Sequence, residues 1–170
     1  MNKLRPSNDK KHKVASLFCG CGGLDLGFTG GFNFLDKEYP THPFEIIWSN
    51  DIDKNACVTY KKNFGKAPLC EDIEHVLDNP IYKNLLPKNV DIVLGGFPCQ
   101  DFSHAGKRNG LSSKRGQLYK SMVRFVDLVK PKLFLAENVK GILTIQKGEV
   151  PEIIKKDFEN IGYEVSYQIY

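Results

Sequence analysis

Short apolar runs that each break, at their carboxyl side, into glycine or polar and acidic residues set the tightest limit on how this chain can fold. The runs are Val14–Phe18, Phe44–Asn50, Asp91–Leu94 and Leu133–Ala136. Each is short and bounded by turn residues, the pattern of buried strands. Between them lie stretches of helical period: a short one from about Leu24, then Asp53–Phe64 and Gln117–Lys130. A further helix is expected over Pro151–Ile161 and a final strand from Tyr163. In the third helix Leu118, Met122, Phe125, Val126 and Val129 recur on one face and Pro131 follows as a stop, so that stripe reads as core packing. Alternation of this kind predicts an α/β fold of three layers, a mostly parallel sheet with helices on both faces. Such sheets bind ligands outside the carboxyl ends of their strands, so the residues just after each run are the candidate site.

Gly95-Gly96-Phe97-Pro98-Cys99-Gln100 follows the third run. Pro98 fixes its own φ and restricts Phe97, which limits how far the Cys99 thiol can wander at the strand end. A cysteine so placed reads as a nucleophile, against the alternative of a small buried hydrophobe. Cys19-Gly20-Cys21-Gly22-Gly23-Leu24 follows the first run. A glycine turn leading into a helix lets backbone approach a nucleotide-like cofactor, although the third glycine of dinucleotide binders is missing. Asp51 ends the second run, where α/β folds hold ribose hydroxyls; Asp53 instead suits a helix cap. Glu137, after the fourth run, faces the same crevice as Cys99. It could cap a helix or end a strand in solvent, but a thiol and a carboxyl converging there suit nucleophilic attack on an electron-poor ring.

Leu17-Phe18-Cys19-Gly20-Cys21-Gly22-Gly23, Asn50-Asp51-Ile52-Asp53, Gly96-Phe97-Pro98-Cys99-Gln100 and Glu137-Asn138-Val139, in this order and spacing, resemble the successive motifs of the cytosine-5 DNA methyltransferases of bacterial restriction-modification systems. The resemblance runs from Val14 to the last residue and includes Glu71-Asp72-Ile73 and Arg115-Gly116-Gln117-Leu118. It implies the S-adenosylmethionine-dependent methyltransferase fold, with S-adenosylmethionine as cofactor and S-adenosylhomocysteine as product. It implies Cys99 and Glu137 as the catalytic pair. The cofactor set it implies is Phe18 against the adenine, Gly20, Gly22 and Gly23 in the turn, Asp51 on the ribose beside Ile52, Asp72 and Ile73 at the adenine, with Gly96, Pro98 and Leu118 completing the pocket. The family usually has Asp where this chain has Ser16, a mild discount on cofactor affinity. Its arginine-rich motif, target-recognition region and closing C-terminal helix have no counterpart in these residues. The resemblance therefore implies the N-terminal portion of a catalytic domain, over residues 14–170 behind a basic tail at 1–13, that is inactive alone and open to a second polypeptide.

Charge and cysteine usage bear on partners and compartment. The net charge is +4, with Lys3, Arg5, Lys10, Lys11 and Lys13 in the tail and Lys107, Arg108, Lys114 and Arg115 just after Cys99. A basic loop beside a reactive site could anchor a phosphate backbone. Gly106, Gly110, Ser112 and Ser113 give it the composition of a lid, which in the resembling family closes over DNA. Five scattered cysteines lack metal-site spacing, so no metal is expected, and they suit a reducing cytoplasm. No run approaches the roughly 20 apolar residues of a membrane span.

The mechanism the resemblance implies acts on double-stranded DNA. A cytosine flips out of the duplex, Cys99 attacks its C6, Glu137 neutralises charge at N3, and C5 accepts the methyl group. A transfer-RNA cytosine-5 methyltransferase shares these motifs. A catalytically silent cofactor-binding subunit and a nicotinamide dehydrogenase are the readings from other classes, the last leaving Pro98-Cys99-Gln100 and Glu137-Asn138-Val139 unexplained.

Overall fold

The computed structural model of the chain describes residues 10–98 and 118–170. In chain order the elements are β1 (His12–Leu17), α1 (Gly23–Thr29), β2 (Phe32–Phe34), β3 (Lys37–Tyr39), β4 (Phe44–Asp51), α2 (Lys54–Phe64), β5 (Leu69–Cys70), α3 (Ile73–Asp78) and α4 (Pro80–Lys83). Then come β6 (Ile92–Gly95), α5 (Leu118–Val129), β7 (Leu133–Ala136), a 3-10 helix over Lys140–Gly148, and α6 (Glu149–Asn160). Five strands form one parallel sheet in the order β5-β4-β1-β6-β7, and β2 and β3 form a separate antiparallel hairpin.

The central strand alternates as a strand buried on both sides must. Ala15 and Leu17 pack with α3, α5 and α6 side chains into the larger core, which includes Val76, Val93, Met122, Phe125, Val126 and Phe158. Val14 faces the other way, with Ile92 and Leu94, against Leu24 and Phe28 of α1. The pairing of β1 with β4 slips between Val14 and Ala15, so that Ile46 pairs with Val14 and Trp48 with Ala15. Ile47 is the extra residue, and Trp48 turns to the α5 side, stacked on Phe125 at 4.9 Å. A buried aromatic in such a cluster contributes several kilocalories; Phe125→Ala should cost about 3–5 kcal/mol.

From β1 the chain winds outward through β4 to β5 and then crosses back to β6 and β7. The reversal falls between β1 and β6, and the carboxyl ends of these two strands flank the crevice where such sheets bind ligands. Asp91 ties their opposite ends together: its carboxylate accepts the Lys13 amide at 2.9 Å and the Lys132 ammonium at 2.8 Å. Those partners, Lys132 foremost, hold its carboxyl down at about 2.

Two boundaries differ from expectation by two residues, the others by one at most. β1 opens at His12, whose amide reaches the Pro43 carbonyl at 2.8 Å. α6 opens at Glu149, which leaves Pro151 in the first turn, where its missing N–H removes no helical bond. The expected strand from Tyr163 is not one: residues 163–170 join no sheet. Side chains anchor this segment instead, with the Tyr163 hydroxyl donating to the Pro131 carbonyl at 2.6 Å and its ring edge-on to Phe134.

Candidate active site

The glycine turn leaves β1 through residues that need left-handed backbone. Phe18, Gly20 and Gly22 have φ of 53°, 54° and 94°. Phe18 carries a side chain there, a conformation that costs roughly 1–2 kcal/mol and persists where surroundings impose it. The Cys19 amide still bonds to the Asn50 carbonyl at 3.0 Å, and the Gly22 amide closes the turn on the Cys19 carbonyl at 2.9 Å. α1 then starts directly, Leu26 N–H donating to the Gly22 carbonyl.

Asp51 joins the two elements that the sequence singles out separately, the glycine turn and the end of β4. One carboxylate oxygen accepts the Gly20 amide at 2.7 Å and the other the Asp53 amide at 2.9 Å. Asp53 caps α2, accepting from Asn55 and Ala56 amides. Buried Asn50 clamps the next strand by donating to the carbonyls of Leu69 and Glu71, both at 2.8 Å. Ile52, although apolar, is 65% exposed beside Asp51.

Asp72 caps α3 through the Glu74 amide at 2.8 Å, while the Ile73 side chain is buried in the larger core. The Asp72 amide, and after it His75, lower the Glu71 carboxyl below the ordinary carboxylate range. Phe18 is half-buried and packs on the edge of that core, as does Leu118 at the start of α5.

At the β6 and β7 ends, backbone and side chain interlock. Glu137 N–H donates to the Gly95 carbonyl at 2.9 Å, and Asn138 donates its side-chain amide to the Phe97 carbonyl at 3.0 Å. A Cβ on Gly96 would lie 3.2 Å from Glu137 Oε2, so the carboxylate rests against the backbone that leads to Pro98. Cys99 and Gln100 lie outside the described residues, as do Lys107, Arg108, Lys114, Arg115 and the glycines and serines expected to form a lid. The structure thus gathers the glycine turn with Asp51, and Glu137 with Gly96, at the carboxyl edge of one sheet. Asp72 stands at the outer flank beyond β5.

The buried thiols of this region are poor nucleophiles. Burial, then Asp25 and Asp51, push the Cys19 thiol far up. Burial, then the Cys70 thiol beside it, raise Cys57 to about 12. A thiol must lose its proton to attack, so neither competes for the nucleophile's role near neutral pH.

Sequence reasoning missed a buried polar cluster under the turn. Asp25 of α1 is fully buried and accepts the Ser16 hydroxyl and the Tyr60 hydroxyl, each at 2.6 Å. Burial raises its carboxyl, against the two hydroxyl donors. The Ser16 side chain therefore points to α1. The one available signal was an acid inside the apolar segment Leu24-Asp25-Leu26-Gly27-Phe28. A groove of about 730 Å³ also runs along the outer edge of β4, where β5 pairs only with Asn50 and Asp51, and it contains none of the expected site residues.

The family model of C-5 cytosine-specific DNA methylases matches residues 12–170. Type II methyltransferase M.NgoFVII of Neisseria gonorrhoeae is 46% identical over 164 residues, covering 96% of this chain and 40% of that protein. Type II methyltransferase M.FnuDI of Fusobacterium nucleatum is 40% identical over 153 residues, covering 90% of this chain and 40% of that protein. The chain thus spans about 40% of the length of these relatives. Among solved structures, a candidate DNA modification methyltransferase encoded within an E. coli prophage superposes with a TM-score of 0.64 at 29% identity, over 88% of this chain and 38% of that one. The S. pombe Dnmt2 methyltransferase shares the fold with a TM-score of 0.56 at 22% identity, over 86% of this chain and 42% of that one.

Proposed function

The chain belongs to the C-5 cytosine-specific DNA methylases, and from that premise we propose that it binds S-adenosylmethionine and carries the nucleophile that methylates cytosine in DNA, within a restriction-modification system. The observation that carries the reading is the bond from Gly20 N–H to the Asp51 carboxylate, which makes one ligand-facing surface of the glycine turn and the β4 end.

The residues at that edge fit the cofactor. Built Cβ atoms on Gly20 and Gly23 would meet nothing within 4 Å, so the turn is open on its outer side. Each Asp51 oxygen accepts one amide, and a carboxylate has about four acceptor positions, which leaves capacity for two ribose hydroxyls. Exposed Ile52 offers an apolar face to the adenine, and Phe18 and Asp72 are the further residues proposed for it. When bound, S-adenosylmethionine supplies an electrophilic methyl group.

The remaining chemistry belongs to the protein. A cytosine flipped from the duplex, at a cost of a few kcal/mol, presents C6 to Cys99. The thiolate forms a bond to C6, and a proton shared between Glu137 and N3 neutralises the negative charge that this pushes into the ring. C5 thereby becomes the nucleophile. Loss of the C5 proton and expulsion of the Cys99 thiolate then restore the aromatic ring.

Calorimetry tests the cofactor half of this reading. The chain should bind S-adenosylhomocysteine at one site, and Asp51→Ala should lose it. Equally tight binding of NAD would overturn the reading in favour of a dehydrogenase.

A further inference from the structure

Helix α2 meets the glycine turn from behind at two points and the helix that follows it, α1, at a third. Tyr60, Asn63 and Phe64 lie at i, i+3 and i+4, on one face of the helix. The Tyr60 hydroxyl donates to Asp25 Oδ2 at 2.6 Å, fixing the first turn of α1. Asn63 donates its side-chain amide to the Cys21 carbonyl at 3.1 Å. The Phe64 ring stacks on Tyr60 at 4.4 Å and fills the space over Gly22, where a Cβ would fall 2.1 Å from the ring. On the opposite side, the end of β4 holds the turn twice, through the Asn50 carbonyl on the Cys19 amide and through Asp51 on Gly20.

A glycine-rich turn has more backbone freedom to lose than any other segment, and freedom lost on binding weakens affinity. We propose that Tyr60, Asn63 and Phe64 are positioning residues for the cofactor, templating the Cys19–Gly23 turn, with Gly20 and Gly22 left-handed, before the ligand arrives. The inference rests on cofactor binding at this turn. Contact through Phe64 explains why Gly22 has a closed back while Gly20 stays open, and contact through Asn63 reaches the backbone from a solvent-exposed side chain.

Asn63 separates positioning from plain stability, because an exposed side chain contributes little to global folding. The test measures three quantities on the 170-residue chain: calorimetric affinity for S-adenosylhomocysteine, melting temperature, and amide hydrogen exchange at Gly20, Gly22 and Gly23 without ligand. Asn63→Ala should weaken binding about 5- to 10-fold, the scale of one lost hydrogen bond, while the melting temperature moves by about 2 °C or less. Asn63→Asp, which sets a carboxylate against the Cys21 carbonyl, should weaken it further. Tyr60→Phe should accelerate exchange at the turn, and Lys62→Ala, an exposed control on α2, should match wild type. Wild-type affinity and exchange in both Asn63→Ala and Tyr60→Phe would overturn the proposal, as would affinity losses that only track melting temperature with exchange unchanged. If the wild-type chain binds no S-adenosylhomocysteine, the functional reading fails, and turn exchange alone decides the positioning claim.

Discussion

Gly20 and Gly22 stand two residues apart in one motif, yet the structure gives them opposite surroundings. Gly20, at φ 54°, has open space where a Cβ would go; Gly22, at φ 94°, has the Phe64 ring there. Gly20→Ala should therefore cost only the left-handed penalty, about 1–2 kcal/mol, and keep the fold while blocking the face offered to the cofactor. Gly22→Ala adds overpacking against an aromatic ring and should cost about 2–5 kcal/mol in all. Urea denaturation of the two variants, beside calorimetry with S-adenosylhomocysteine, checks the split: a folded, non-binding Gly20→Ala and a destabilised Gly22→Ala. The motif marks both positions as glycine, but which one faces a ligand depends on Phe64, some forty residues away. Asp25 was hidden for the same reason. Its partners Ser16 and Tyr60 come from β1 and α2, and only the packed sheet brings them to one carboxylate. Asp51, Gly96 and Glu137 were legible because strand ends announce themselves locally, by an apolar run breaking into polar or glycine residues.

Among the elements, those with strong period or clear stops were legible: β4 begins at Phe44 and α2 ends at Phe64, and β7 matches its expected range. The hairpin of β2 and β3 was not. Its turn residues Leu35 and Asp36 have φ of 48° and 58°, a conformation usually marked by Asn, Asp or Gly; Asp36 fits it, but Leu35 gives no such signal. Tyr163–Tyr170 has the alternation of a strand, but a strand exists only with a neighbour to complete its ladder. Asp91 gives the sheet a pH dependence of definite sign. Its folded carboxyl is held at about 2, below its ordinary value of 3.8, by Lys132 and the Lys13 amide. Its contribution is therefore fully present above that ordinary value and lost as pH falls toward about 2. Asp91→Asn should lower the urea midpoint at pH 6 and leave it little changed below pH 2. An equal loss at both would mean the carboxylate's charge has no part in tying β1 to β7.

At the scale of the whole molecule, the two edges of the described sheet are β5 and β7. On the β7 edge, the Leu133 and Leu135 side chains are 55% and 41% exposed on the face that bears α1. These residues hold the glycine turn, the Asp51 carboxylate proposed for the ribose and Glu137, proposed as one of the catalytic pair, within a chain spanning about 40% of its relatives' length. Holding reactants in a near-attack geometry supplies much of an enzyme's acceleration, and extracting a base from a duplex needs contacts on both sides of it. We therefore expect the 170-residue chain by itself to bind S-adenosylhomocysteine but to transfer no methyl group to DNA. Incubating the purified chain with radiolabelled S-adenosylmethionine and cytosine-containing duplexes measures this directly, with a complete type II methyltransferase as the positive control. Basic residues such as Lys107 and Arg108 should still retain DNA weakly, and that retention should fall steeply between about 50 and 200 mM salt, as phosphate contacts do. Sequence-specific methylation by the purified chain would refute the expectation, and would mean that residues 1–170 include a surface able to select and extract the target base.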